Sequence, residues 1–249
     1  MKLPSPSWSW ASLPAILIAW MVIAADRPSY AFPQPWDVIR EGVSWCAHGR
    51  LAEQVAASLA RELAGFAAAV VVSAVIGFTA ALVPGFRAFI APITGIFMAL
   101  PPIAWAPLAL ILFGLGSSAI ILVIFIASMF PMALALQNGV MSIRESYVRA
   151  ARILGADRYQ LLLHVYLPAS LPFLTTAWRI GFSQAWRALV AAEMVGASNG
   201  IGWMVAMGGQ IGSSSQVLLG IAIIGTIAWV TEFLIFRRIE LRYQSWHQH

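Results

Sequence analysis

Charged residues are scarce in this chain of 249 residues. Asp, Glu, Lys and Arg make up 10% of it, against 60% apolar residues, whereas charged residues alone are about 25% of a typical soluble domain. This composition excludes a soluble enzyme, a disordered tail and a nucleic-acid-binding protein, and it predicts a protein embedded in the lipid bilayer. The formal net charge of +5 therefore indicates membrane topology and not a phosphate-binding face.

Cysteine and lysine are almost absent. Cys46 is the only cysteine, so no disulfide can form within the chain and no cysteine-based metal cage is available. Lys2 is the only lysine, and a P-loop needs a Lys after its Gly-rich turn, so the chain cannot bind ATP in that way. The four histidines show no metal-ligand spacing. We therefore expect this chain to hold no cofactor and no metal.

Long apolar runs are abundant. A membrane span needs about 20 mostly apolar residues, and backbone hydrogen bonds in lipid must close within each segment, which favours helices. We predict an all-α, polytopic membrane protein with about six transmembrane helices in a single domain, residues 1–249. Ile23 stands where a cleaved leader needs a small residue, so the first run is expected to be a retained span. The predicted spans are residues 11–26, 58–83, 88–113, 118–141, 170–195 and 215–236.

The distribution of charge between the loops predicts orientation. One set of loops carries nine basic residues against three acidic ones, and such loops face the cytoplasm. Both termini and the loop over residues 142–168 are therefore expected in the cytoplasm. The segment over residues 26–57 is expected outside, where a helical pattern beginning at Val38 suits an interfacial helix.

The loop over residues 142–168 predicts a basic amphipathic helix that ends at Gly155. Asp157 can then cap a second helical turn, and Pro168 precedes the fifth predicted span. Two interpretations stay open on these residues alone. The loop is either a connector that lies on lipid headgroups or a helix that docks onto a partner protein.

The same loop resembles a family motif. ATP-binding-cassette importer permeases carry Glu-Ala-Ala, three residues, Gly, nine residues, Ile, one residue, Leu-Pro at this place. Two positions differ, because Arg149 stands where the family has Glu and Val165 where it has Ile. The residues at the remaining motif positions are Ala150, Ala151, Gly155, Leu167 and Pro168.

The resemblance extends over nearly the whole chain, and its details are similar to the nitrate/sulfonate/taurine branch of these permeases. It rests on Ser58 to Phe66, Leu100 to Leu108 and Trp186 to Glu193. It implies a type I importer permease of the bacterial inner membrane, which works by alternating access. The implied partners are a second copy of this permease, two ATP-binding subunits that hold ATP and Mg, and a periplasmic solute-binding protein.

Within that resemblance, the loop helix would sit in a groove of the ATP-binding subunit. The residues expected to couple the two subunits are Arg149, Ala150, Ala151, Gly155, Ala156, Leu167 and Pro168.

The fifth predicted span carries charges at membrane depth. Arg179, Ser183 and Arg187 are spaced i, i+4, i+8, so they form one stripe, and about 12 Å of helix separates the two arginines. Guanidinium groups bind small oxyanions through paired hydrogen bonds. The alternative is that each arginine serves structure alone. Trp186 and Glu193 are seven residues apart, so they share a face of this helix.

Two interpretations of Glu193 stay open. It either accepts hydrogen bonds from the Gly-rich segment over residues 196–212, or it pairs with Arg187 of the second copy. Glu232 is expected either to extend its carboxylate to the membrane surface or to pair with Arg237 or Arg238.

Prolines in the third span predict kinks that free backbone carbonyls, and such irregular backbone must line a cavity or be buried in protein. The candidate pathway residues are Pro101, Pro102, Arg179, Ser183, Trp186, Arg187 and Glu193. The function expected from the resemblance is import of a small anion such as taurine, an alkanesulfonate or nitrate. The alternatives are a membrane-embedded enzyme and a secondary transporter that works as a single chain.

Overall fold

A computed structural model describes the backbone of residues 6–236 and the side chains of residues 14–234 and 236. Every regular element within these residues is helical, as predicted. Lys2, Arg237 and Arg238 lie outside the described residues. The elements are α1 (Pro6–Ala25), α2 (Pro35–Ala47), α3 (Arg50–Leu82), α4 (Pro84–Ala99), a 3-10 turn (Pro102–Trp105), α5 (Ala106–Phe113), α6 (Ser117–Met141), α7 (Glu145–Ile153), α8 (Arg158–Leu161), a π-helical turn (Leu162–Tyr166), α9 (Leu167–Gly196), α10 (Ile201–Gln210), α11 (Ser214–Thr231) and a second π-helical turn (Glu232–Phe236).

Four helical stretches are long and apolar enough to cross a membrane. They are Arg50–Leu82, Ser117–Met141, Arg158–Gly196 and Ser214–Leu234, and the bent pair Pro84–Ala99 with Pro102–Phe113 makes a possible fifth. The described apolar part of α1, Pro14–Ala25, is shorter than a full span. The predicted number of about six spans is therefore reached only if both the bent pair and α1 cross the membrane.

The third predicted span is broken and not continuous over residues 88–113. α4 and the stretch Pro102–Phe113 meet at 97°, a far larger bend than a proline kink within one helix. Leu100 adopts an extended conformation with ψ 128, because a residue before proline is pushed out of the helical region. Pro101 is extended as well, with ψ 138, so the two consecutive residues end α4.

The second span begins earlier than predicted. α3 starts at Arg50 and runs for 33 residues, because residues 50–57 are mostly good helix formers. Gly49 separates it from α2 in a left-handed conformation with φ 68. α2 occupies the segment in which an interfacial helix was expected, and it buries Val38.

α6 forms the centre of the bundle and packs between α3 and α9. A side chain added at Gly77 of α3 would meet the carbonyl oxygen of Ala133 at 2.9 Å, and one at Gly181 of α9 would meet the sulfur of Met132 at 1.8 Å. Small residues allow helices to approach this closely in membranes. α3 runs parallel to α6, and α9 runs antiparallel to both. The start of α3 therefore lies beside the end of α9.

Candidate functional site

A cavity of about 720 Å³ lies between α9 and the end of α11. The predicted stripe on α9 faces it, so the spacing argument for Arg179, Ser183 and Arg187 is confirmed as a shared surface. Trp186 also lines it, with only 5% of its surface exposed. The polar, charged and indole side chains along the wall are Thr176, Arg179, Ser183, Gln184, Trp186, Arg187 and Glu232.

The two arginines of the stripe have different surroundings. Arg179 forms an ion pair with Glu232 across the cavity wall, whereas the expected pairing of Glu232 with Arg237 or Arg238 falls on residues outside the described part of the chain. Arg187 donates from Nε to the carbonyl oxygen of Ser183 and from Nη2 to its hydroxyl, both at 3.0 Å. These bonds hold the Arg187 guanidinium along its own helix, and no carboxylate of the described residues pairs with it.

A second, smaller cavity of about 60 Å³ adjoins the first at Gln184, which lines both. Pro102 lines the smaller cavity together with Trp105, whereas Pro101 lines neither. Of the two prolines at the break after α4 that were predicted to line the pathway, only Pro102 thus lies in a cavity wall. The sequence offered no signal for Gln184, because a single Gln beside a basic stripe is unremarkable in a polar helix face.

Glu193 lies away from both cavities, in a buried polar cluster at the other end of α9. Its Oε1 accepts a hydrogen bond from Nη1 of Arg61 at 2.6 Å, and its Oε2 accepts one from the backbone N–H of Gly202 at 2.9 Å. The Ser58 hydroxyl lies 2.8 Å from Oε2. The interpretation of Glu193 as an acceptor for the Gly-rich segment is therefore confirmed, and Arg61 of the same chain fills the place suggested for Arg187 of a second copy.

Three consecutive backbone N–H groups at the start of α10 are satisfied by this cluster. Gly200 donates to Gln54 at 2.6 Å, Ile201 to Ser58 at 2.8 Å and Gly202 to Glu193. The first N–H groups of any helix lack partners within it, and a carboxylate there is favoured by the helix dipole. Side chains of α3 and α9 therefore fix where α10 begins.

Arg61 connects the cluster to two further parts of the chain. Its Nε donates to the Ser117 hydroxyl at 3.0 Å, and its Nη1 donates to the carbonyl oxygen of Asn199 at 2.8 Å. Although it carries a charge, Arg61 is only 6% exposed. Arg61 and Ser58 entered the sequence argument only as part of a motif resemblance, since no local spacing shows a contact with residues far along the chain.

Glu62 is completely buried beside this cluster, and neither of its carboxyl oxygens has a hydrogen-bond partner among the described residues. We expect Glu62→Gln to leave the thermal unfolding midpoint at or above the wild-type value. The substitution removes a chargeable group whose burial is unfavourable and breaks no hydrogen bond. Thermal unfolding in detergent checks this, and a fall of more than about 4 °C, roughly 1 kcal/mol for a chain of this size, would contradict it.

The loop over residues 142–168 has the predicted form. α7 ends before Gly155, whose φ is 86, and the Asp157 side chain accepts from the N–H of Gln160 at 2.7 Å to cap α8. Val148 and Leu161 are buried and anchor the loop.

Apolar side chains project from this anchored loop. Ile153 and Leu154 are each 86% exposed, which is unusual for large apolar residues flanking a helix end. Of the expected coupling residues, Arg149, Ala150 and Ala151 lie in α7, and Gly155 and Ala156 follow it closely. Leu167 and Pro168 lie at the start of α9, beyond α8 and the π-helical turn.

The charge reversal at Arg149 is accommodated within α7. Arg149 Nη2 donates to the Glu145 carboxylate at 2.6 Å, one helical turn away, with both side chains exposed. This hydrogen bond and the positive charge of Arg149 lower the pKa of Glu145 below its ordinary value. The pair leaves little net charge at the position where the family motif has a Glu.

Comparison with known proteins supports the motif resemblance. The family model described as "Binding-protein-dependent transport system inner membrane component" matches residues 73–241. The chain is 35% identical over 247 residues to the taurine transport system permease protein TauC of Escherichia coli (strain K12), covering 96% of this chain and 89% of that protein. It is 31% identical over 222 residues to the nitrate import permease protein NrtB of Leptolyngbya laminosa, covering 85% and 77%.

Solved structures show the same fold. An inward-facing structure of the MetNI methionine ABC transporter superposes with a TM-score of 0.68 at 21% identity, covering 76% of this chain and 95% of that one. The helical fold, the loop motif and the extent of the family match all indicate the same family. The chain belongs to the binding-protein-dependent transport system inner membrane components, the multi-pass permease subunits of ATP-binding-cassette importers.

Proposed function

We propose that this permease moves a small oxyanion, such as taurine, another alkanesulfonate or nitrate, from the periplasm to the cytoplasm by alternating access. The relatives with taurine and nitrate in their names support this substrate class. The observation that carries it is the position of Arg187 on the wall of the large cavity, where no carboxylate in the described part of the chain pairs with it. A charge at membrane depth is costly and is retained where it serves a pathway.

The guanidinium of Arg187 suits an oxyanion, because its planar set of N–H donors matches two oxygen atoms of a sulfonate or nitrate. Ser183 and Thr176 add hydroxyl groups on the same wall. The aromatic and aliphatic lining, including Trp186, suits an anion that carries a short carbon chain. The cavity thus offers both a charged end and an apolar surface to the solute.

The loop around α7 is the proposed contact with a separate ATP-binding subunit, which holds ATP and Mg. Its anchored base and its exposed Ile153 and Leu154 suit insertion into a groove, since an apolar helix end in a hydrophobic groove is a common docking mode. Two copies of this chain would work with two such subunits and a periplasmic binding protein. Both termini and α7 would then lie on the cytoplasmic side. A secondary transporter of one chain would leave the exposed loop without a role.

Substitution of Arg187 tests the pathway. We expect Arg187→Ala to abolish uptake of radiolabelled taurine and nitrate into proteoliposomes that contain the permease, the ATP-binding subunit and the binding protein. The reason is loss of the guanidinium donors at the cavity wall. Arg40→Ala is the matched control, because Arg40 is exposed on α2, outside both cavities.

Both variants should retain the ATP-binding subunit during purification. Wild-type uptake kinetics in Arg187→Ala for every anion tested would remove Arg187 from the pathway and contradict the proposal.

A further inference from the structure

Three charged side chains line the large cavity within the described residues. Arg179 and Arg187 are basic and Glu232 is acidic, so the wall carries one net positive charge. The charges are also unevenly arranged, because Glu232 is paired with Arg179 and Arg187 is bonded only to the neutral Ser183. One guanidinium is therefore compensated by protein and the other is available to a solute.

The charge balance decides which anions the cavity can hold. A single negative charge on the solute brings the wall and its occupant to neutrality. A second negative charge would leave one net negative charge close to the Glu232 carboxylate, and like charges at short range repel each other. Arg187 is the one guanidinium on this wall that no described carboxylate pairs, so it can offset only one of the two charges of a dianion.

We infer that Glu232 is a specificity residue, which by neutralising Arg179 restricts the cavity to solutes whose oxyanion group carries a single negative charge. This inference rests on the proposed function, since it assumes that the cavity holds the anion. It adds that the carboxylate selects by charge and excludes sulfate-like dianions of similar shape. Its pair with Arg179 is about half exposed in the single chain, with 47% and 45% of the two side chains accessible, so it contributes little to folding.

Methanesulfonate and sulfate are suitable probes, because both are tetrahedral oxyanions of similar size that differ by one unit of charge. The experiment is titration calorimetry of each anion, at equal ionic strength, on the purified complex of permease and ATP-binding subunit in nanodiscs. The binding protein is omitted, so its own selectivity does not enter the result.

We expect the wild-type complex to bind methanesulfonate at least about tenfold more tightly than sulfate, and Glu232→Gln to reduce this ratio by about tenfold, the effect of one unit of charge at short range. Glu232→Asp should keep the wild-type ratio. The double variant Arg179→Gln with Glu232→Gln returns the wall to one net positive charge and should restore the preference for methanesulfonate.

The outcomes that overturn the inference are separable from failure of the proposed function. Equal ratios in wild type and Glu232→Gln, with binding of both anions lost in Arg187→Ala, would leave the cavity as the anion site and remove Glu232 as its selector. A wild-type preference for sulfate over methanesulfonate would also remove Glu232 as the selector. Absence of binding of either anion to the wild-type complex would instead reject the cavity as the anion site.

Discussion

Glu193→Ala should lower the thermal unfolding midpoint by about 10 °C and reduce the amount of folded protein in the membrane. Removing one partner of a buried ion pair costs about 3–5 kcal/mol, because Arg61 would stay buried with its charge uncompensated. The N–H of Gly202 at the start of α10 would lose its acceptor as well. Thermal unfolding in detergent, followed by far-ultraviolet circular dichroism, measures the change.

A double substitution separates loss of the ion pair from loss of packing. Arg61→Gln together with Glu193→Gln removes both charges while nearly preserving side-chain volume, so it should destabilise less than Glu193→Gln alone. Glu62→Gln serves as the control, because the buried carboxyl of Glu62 in the same place has no hydrogen-bond partner among the residues that the structure describes. A Glu193→Ala protein with the wild-type midpoint would show that the cluster does not hold α10 to α3.

Gly155→Glu should leave the permease in the membrane but detach the ATP-binding subunit, and so abolish uptake. Gly155 has φ 86, a left-handed conformation that costs a residue with a side chain about 1–2 kcal/mol. Nothing lies within 4 Å of the position of an added Cβ, so the new side chain projects into the space that the docking partner would occupy.

Gly49→Glu is the matched control for this substitution. Gly49 has φ 68 and equally open surroundings, so the backbone strain and the added charge are the same. It precedes α3, at the end of the bundle opposite to α7. The ratio of the two subunits after affinity purification, with the amount of permease in the membrane, is the measurement. An intact Gly155→Glu complex that transports normally would contradict the docking role of this loop.

The helices were predictable because lipid leaves the backbone few alternatives. The apolar runs therefore located the long helices α3, α6, α9 and α11. The size of the bend at Pro101 and Pro102 was not predictable, because prolines show that a helix is interrupted but not the direction in which the chain continues. The early start of α3 was missed because the charged residues before residue 58 were taken to mark a loop, although Arg and Glu are good helix formers.

The candidate site, too, was predictable from the sequence only in part. Arg179, Ser183 and Arg187 belong to one helix, so spacing alone placed them on one surface. The partners of the buried carboxylates could not be found by spacing. Arg61 and Glu193 are 132 residues apart in the chain, and the pairing of Arg179 with Glu232 depends on how two helices pack. Contacts of this kind are fixed by tertiary structure and leave no periodic signal.

The ion pair between Arg61 and Glu193 also has a consequence for the order in which the protein is made. Because 132 residues separate them, a ribosome working at 5–20 residues per second needs roughly 7–26 s to reach Glu193 after Arg61. During that interval the second span exists without its counter-charge, and Arg61 lies near the beginning of α3, where water and headgroups can still solvate it. The closing of the bundle is therefore a late event of biosynthesis, completed only when the end of α9 arrives.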